Sequence, residues 1–171
     1  MLFRSRTKMK ALFKQVVLTL LCSAHVTQAV KQDAAQIEYA ILFDAGSSGT
    51  RMEIYQFLAS GPSLQLSQVI QLRPSPHKVE PGLSDFADDP SKVDAYLMPL
   101  LEAAKKTIPQ DKRASSPMYL LATAGMRLLP EDQANAILDK VRNLFNDKSK
   151  CPFLFEDDND ARVILGKTEG V

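Results

Sequence analysis

Tyr39-Ala-Ile-Leu-Phe-Asp44-Ala-Gly-Ser-Ser-Gly-Thr-Arg51, continuing into Met52-Glu-Ile-Tyr-Gln-Phe57, is an apolar run that ends in one acid, breaks into small residues and resumes as a second apolar run. The pattern predicts two strands, near Glu38 to Phe43 and Arg51 to Phe57, joined by a tight loop. Gly46, Ser47, Ser48, Gly49 and Thr50 bring little side-chain bulk and many free backbone N–H groups, which is what a nest for phosphate oxygens requires. Asp44, closing the first strand, is placed to hold a metal ion or its water. Shape alone fits an ordinary hairpin equally well, its glycines supplying only positive φ.

A second stretch favours phosphate. Leu120-Leu-Ala-Thr-Ala-Gly-Met-Arg127 is another short apolar run that opens into Thr123, Ala124 and Gly125, again small residues with a hydroxyl and a nearby guanidinium. Two such loops in one short chain point to a phosphate held between them.

The order and spelling of these motifs resemble the nucleoside triphosphate diphosphohydrolases, the apyrase family of nucleotide-hydrolysing enzymes. DAGSSGTR is similar to the family's first conserved region, KVEPGLSDF at Lys78 to Phe86 to its characteristic loop, ATAGMRLL at Ala122 to Leu129 to its second region, and GKTEGV at Gly166 to Val171 to the start of its third. A lone DxGSxxxR would be weak, since sugar kinases, actin-like ATPases and exopolyphosphatases carry similar loops. The pairing with PGLS and ATAGMR is specific.

The resemblance implies a ribonuclease H-like half-domain of the actin-like ATPase superfamily, paired in the whole enzyme with a second half across a nucleotide cleft. It implies hydrolysis of nucleoside tri- and diphosphates with Mg2+ or Ca2+, and Glu169 as the base that activates water. An ionised carboxylate can do this at neutral pH. Phosphate oxygens would meet Ser47, Ser48, Gly49 and Thr50 on one side and Thr123, Ala124 and Gly125 on the other. Arg51 and Arg127 are candidates for charge stabilisation, or structural arginines beside their loops, and Asp44 is the metal candidate. The rival readings are an exopolyphosphatase-like phosphohydrolase and a nucleotide-binding module without hydrolysis.

Composition agrees with one globular unit: 171 residues, 45% hydrophobic and 24% charged, enough for a sizeable core. Arg4, Arg6, Lys8, Lys10 and Lys14 lie in the first 29 residues, where there is no acid; the remainder carries 16 basic against 20 acidic residues. That excludes a basic stripe for nucleic acid and leaves phosphate to local loops. The basic leader runs into Val16-Val-Leu-Thr-Leu-Leu-Cys22 and then Thr27 and Ala29, which reads as a signal peptide over residues 1–29 and a secreted or extracytoplasmic protein. Its apolar run is too short for a stable membrane span. Without the leader Cys151 stands alone, either packed and inert or paired with a partner elsewhere.

Further along, Ser63 to Leu72 alternates and slips near Val69, predicting a half-buried strand with a bulge. Residues 73–90, with Pro74, Pro76, Pro81 and Pro90, read as a loop in which PGLS could be plain turn chemistry. Ser91 to Ala104 has helical spacing, kinked or split at Pro99. Met118 to Ala122 reads as a buried strand, Glu131 to Asn146 as a helix with Ala134, Ile137, Leu138, Val141, Leu144 and Phe145 inward, and Phe153 to Phe155 as a short strand. A further helix is expected from Asn159. The resulting order, βββαβαβα, is an α/β mixed sheet with helices packed on it.

Two decoys are set aside. Gly166-Lys167-Thr168 lacks the earlier glycine of a P-loop, since position 161 is Ala. Glu156 to Asp160 lacks the glycine of a calcium loop. Residues 30–171 are therefore expected to be the N-terminal lobe of a two-lobe hydrolase, truncated at its C-terminal end, with the second lobe absent. By itself this lobe is expected to be inactive, and poorly soluble or partly unfolded.

Overall fold

The computed structural model describes residues 36–59 and 67–164. The expected leader, the first part of the third strand and the whole GKTEGV motif with Glu169 lie outside the described residues.

Two long strands form the centre, β1 (Gln36–Gly46) and β2 (Gly49–Ala59), paired antiparallel from Gln36↔Ala59 down to Gly46↔Gly49. Both outrun the expected spans because the ladder continues to the last residues before a turn of only Ser47 and Ser48. Then come β3 (Ser67–Leu72), β4 (Lys78–Val79), helix α1 (Val93–Thr107), the single turn α2 (Gln110–Arg113), β5 (Met118–Ala122), the single turn α3 (Ala124–Arg127), α4 (Glu131–Asn146) and β6 (Ala161–Val163). The sheet order is β3-β2-β1-β5-β6, with β4 also on β2. β5 lies parallel to β1, and β6 parallel to β5. This is the mixed sheet expected from the sequence.

Phe43, Ile41, Met52, Ile54, Met118, Leu120 and Ala122 face α1 and α4 in one buried cluster. On the opposite pleat Ala40, Leu42, Tyr55, Phe57, Tyr119 and Leu121 are buried as well. Burial on both faces is why β1 reads as a continuous apolar run rather than an alternation. α4 presents the six expected inward residues, and its Phe145 meets Phe43 at 5.5 Å and Phe155 edge-on at 5.4 Å between ring centroids. The expected bulge is present: Gln56 pairs with Ile70 and Leu58 with Ser67, leaving one extra residue on β3.

Three details differ from expectation. α1 is continuous through Pro99. The carbonyl this proline orphans, that of Ala95, sits on the exposed side where water can satisfy it. Phe153 to Phe155 makes only one bridge, Leu154 with Pro117, through Leu154 N to Ser116 O at 2.9 Å and Met118 N to Leu154 O at 3.0 Å. The region from Asn159 is not a helix. Asp157 caps a single 3-10 turn, Asp158–Asp160, by accepting from Asn159 N at 2.7 Å. Ala161, Arg162 and Val163 then add β6 to the open parallel edge of β5.

Cys151 is free and fully buried, its Sγ 3.2 Å from Met118 Sδ. Burial pushes its thiol up to about 11 from the ordinary 9.0, so the folded state keeps a proton that the unfolded chain releases. Its contribution to stability is therefore complete below pH 9 and is lost as pH rises toward 11. In the native complete protein the Cys151 peptide should resist iodoacetamide at pH 8 and react fully in guanidinium. Rapid native labelling, followed by mass spectrometry of that peptide, would contradict the packing described.

Candidate phosphate site

β1 and β5 run parallel and side by side, Ala45 paired with Ala122, so both deliver their following residues to one edge of the sheet. At that edge Thr123 N donates to Ala45 O at 3.0 Å, tying the second loop directly to the first. Ser47 and Ser48 are exposed at the tip of the β1–β2 turn; Ala124 is exposed beside them, and Thr123 and Gly125 are partly buried. The two loops singled out in the sequence are thus brought together.

The third motif closes the group. A Cβ added to Gly82 would lie 2.4 Å from Ser47 O and 2.7 Å from Ser47 C, so the PGLS loop rests on the turn where only a glycine allows contact. A Cβ added to Gly125 would lie 2.7 Å from Ser84 Oγ and 3.2 Å from Ser47 Cα. The β1–β2 turn, the loop at Gly82 and Ser84, and the turn at Gly125 therefore form one packed unit.

Within that unit two residues have structural tasks that the sequence did not disclose. Gly49 has a φ of 148°, and a Cβ there would meet Val79 O at 2.5 Å. Its glycine is required by the approach of β4. Thr50 is fully buried; its N–H donates to Tyr96 Oη at 3.0 Å, and its Oγ1 lies 3.1 Å from the same oxygen. That N–H is committed, and the hydroxyl is turned inward. Neither group faces the open side of the turn, where Ser47 and Ser48 stand.

Tyr96, which the sequence marks only as an apolar helix position, is the hub. Its hydroxyl also reaches the carbonyls of Pro81 and, at 3.3 Å, Val79. Burial raises its pKa, which keeps the donor proton in place. Tyr96→Phe leaves the buried Thr50 N–H without its acceptor. In the complete protein it should cost about 1–3 kcal/mol of stability, read as a lower denaturant midpoint. An unchanged midpoint would show that the bond carries no weight.

The charged candidates are divided. Arg127 Nη1 donates to Ile164 O at 3.0 Å, so it braces the α3 turn against the end of β6. Arg51 is half-buried on β2 opposite Asp44 in β1 and Lys78 in β4. Asp44 is half-buried at the sheet edge. Among the described residues no group of three or more His, Cys, Asp or Glu side chains could hold a metal ion. A single carboxylate fits the way Mg2+ is usually held, by one or two carboxylates with water and substrate phosphate completing the shell. No helix among the described residues is long and apolar enough to cross a membrane.

Known proteins are similar to this chain in sequence and fold. The chain is 36% identical over 162 residues to a nucleoside-diphosphatase of Caenorhabditis elegans, covering 93% of this chain and 29% of that protein. It is 39% identical over 150 residues to ectonucleoside triphosphate diphosphohydrolase 4 of Homo sapiens, covering 84% and 24%. With ectonucleoside triphosphate diphosphohydrolase 5 of Bos taurus it shares 37% over 159 residues, covering 93% and 34%. The chain therefore spans about a third or less of these relatives' length. The crystal structure of nucleoside triphosphate hydrolases from Neospora caninum superposes with a TM-score of 0.56 at 13% identity, over 93% of this chain and 33% of that one, and shares the fold. With residues 30–171 matching the GDA1/CD39 (nucleoside phosphatase) family, the chain belongs to that family.

Proposed function

We propose that the complete protein hydrolyses nucleoside tri- and diphosphates, releasing inorganic phosphate, and that this chain is the N-terminal lobe of its two-lobe site. The observation that carries the reading is the packing of the Ser47–Ser48 turn against Gly82 and Gly125 at one sheet edge. Family membership supports it.

The terminal phosphate lies between the two loops. Backbone N–H groups and hydroxyls of Ser47 and Ser48 hold it on one side, with Gly49 as the turn's closing residue, and Thr123, Ala124 and Gly125 line the other. Phosphoryl transfer spreads charge over the equatorial oxygens, and each well-aimed donor lowers the barrier by about 3 kcal/mol. Glu169 takes the proton of the attacking water. β6 supports that assignment. Ile164 N donates to Ala122 O at 2.9 Å, so the chain leaves the sheet at the same edge as Thr123. Five residues then lead to Glu169, at most about 18 Å of chain. Asp44 would hold Mg2+ or Ca2+, directly or through water, and the cation would offset phosphate charge. Arg51 contributes positive charge from β2, and Arg127 acts by bracing its loop. The leader at residues 1–29 directs export, and the lobe alone is inactive because the donors of the second lobe are missing.

Phosphate release by the complete protein from nucleoside tri- and diphosphates, with a linear polyphosphate as competitor, tests the reading. Cation-dependent release from nucleotides, abolished by chelation, is expected. Preferential release from polyphosphate, or tight nucleotide binding without release, would overturn it.

A further inference from the structure

Resting on that reading of the site, we propose that residues 81–86 act as a spacer that fixes the distance between the two phosphate loops, with the Gly82 backbone setting that distance and Ser84 filling the space beside Gly125. Three contacts carry the inference. Gly82 sits against the Ser47 carbonyl. Ser84 Oγ lies 2.7 Å from the position of a Cβ on Gly125. Ser47 Cα is only 3.2 Å from that same position. One point in space is therefore bounded by the first loop, the second loop and Ser84, and anything that widens Ser84 or Gly125 drives the loops apart.

A spacer must be anchored beyond the loops it separates, and this one also holds to the core and to helix α1. Leu83 is fully buried, Phe86 packs on the Tyr96 ring at 4.7 Å between centroids, and the Pro81 carbonyl is bound by the Tyr96 hydroxyl. The turn is braced from within by Asp85 N to Gly82 O at 3.0 Å and Ala87 N to Ser84 O at 3.2 Å. Its reference frame thus includes helix α1, whose Tyr96 also holds Thr50 at the start of β2. The Ser84 hydroxyl has no hydrogen-bond partner among the described residues, so Ser84 acts here through its bulk.

Because misplacing a reacting group by about 1 Å costs about 100-fold in rate, the spacing should be legible in kcat. In the complete protein Gly125→Ala is expected to lower kcat at least about tenfold. Ser84→Ala should stay within about threefold of wild type, because the Gly82 backbone still rests on Ser47, and the double variant should regain most of the loss, because removing Oγ makes room for the new methyl. A turn that serves only local folding would show the rescue in thermal midpoint alone, with kcat of the folded protein near wild type in all three variants. A double variant no better than Gly125→Ala overturns the spacer. So does a loss of about tenfold or more in Ser84→Ala alone, which would instead mean that the hydroxyl touches substrate. If Gly125→Ala does not fold, Ser84→Thr carries the test: lowered kcat supports the spacer and unchanged kcat overturns it. If the wild-type protein releases no phosphate, the functional reading fails on its own. The contact between Ser84 and position 125 is then judged by thermal midpoints of the same variants, where rescue supports the contact and additivity overturns it.

Discussion

Glu169→Gln in the complete protein should lower kcat for nucleotide hydrolysis by about a thousandfold while the affinity for nucleotide changes by less than about threefold. The amide keeps the size and much of the polarity of the carboxylate but cannot take a proton from water, and general-base catalysis contributes about a hundred to ten thousandfold. Binding should survive, because Ser47, Ser48 and the Thr123 loop supply the phosphate contacts. Parallel measurements of steady-state turnover and equilibrium binding separate these effects. Near-normal turnover would remove Glu169 from the mechanism, and a matching loss of affinity would make it a binding residue.

Gly82→Val should be the most damaging substitution among the described residues of the site, with kcat/KM reduced at least about 100-fold and stability by about 1–3 kcal/mol. The argument is one of space. Gly82 has an ordinary extended backbone, φ −64° and ψ 152°, so valine is not excluded by its torsion angles. Its Cβ would be driven to 2.4 Å from the Ser47 carbonyl oxygen and 3.1 Å from that of Gly46. Both obstacles are backbone, so relief comes only by moving the turn itself. If the variant keeps wild-type activity and loses only stability, the turn is scaffolding and phosphate is bound elsewhere.

The sequence disclosed the fold to the extent that periodicity governs it. α4 and β5 occupy the expected residues because their apolar spacing, at periods suited to helix and buried strand, faces one shared core. β6 was missed because Ala161-Arg-Val is too short to show a period, and it becomes a strand only through the parallel edge that β5 offers. Pro99 was given too much weight, since a proline on the exposed side of a helix leaves its orphaned carbonyl to water.

In the site, Ser47, Ser48 and the Thr123–Gly125 loop were legible as small polar breaks after apolar runs, and the structure brings them together. The roles of Thr50 and Tyr96 were not, because their hydrogen bond joins residues 46 positions apart and no local pattern announces it. The close approach of Gly82 to Ser47 was hidden for the same reason: a glycine's letter does not say what its missing side chain would strike.

The central claim is that a phosphate lies between the β1–β2 turn and the loop after β5. The most direct measurement is the position of the terminal phosphorus in a crystal structure of the complete Glu169→Gln protein with Mg2+ and a nucleoside triphosphate. The account predicts its oxygens within about 3 Å of Ser47 or Ser48 donors on one side and of Thr123 to Gly125 on the other. A nucleotide bound with its phosphates away from both loops would contradict it.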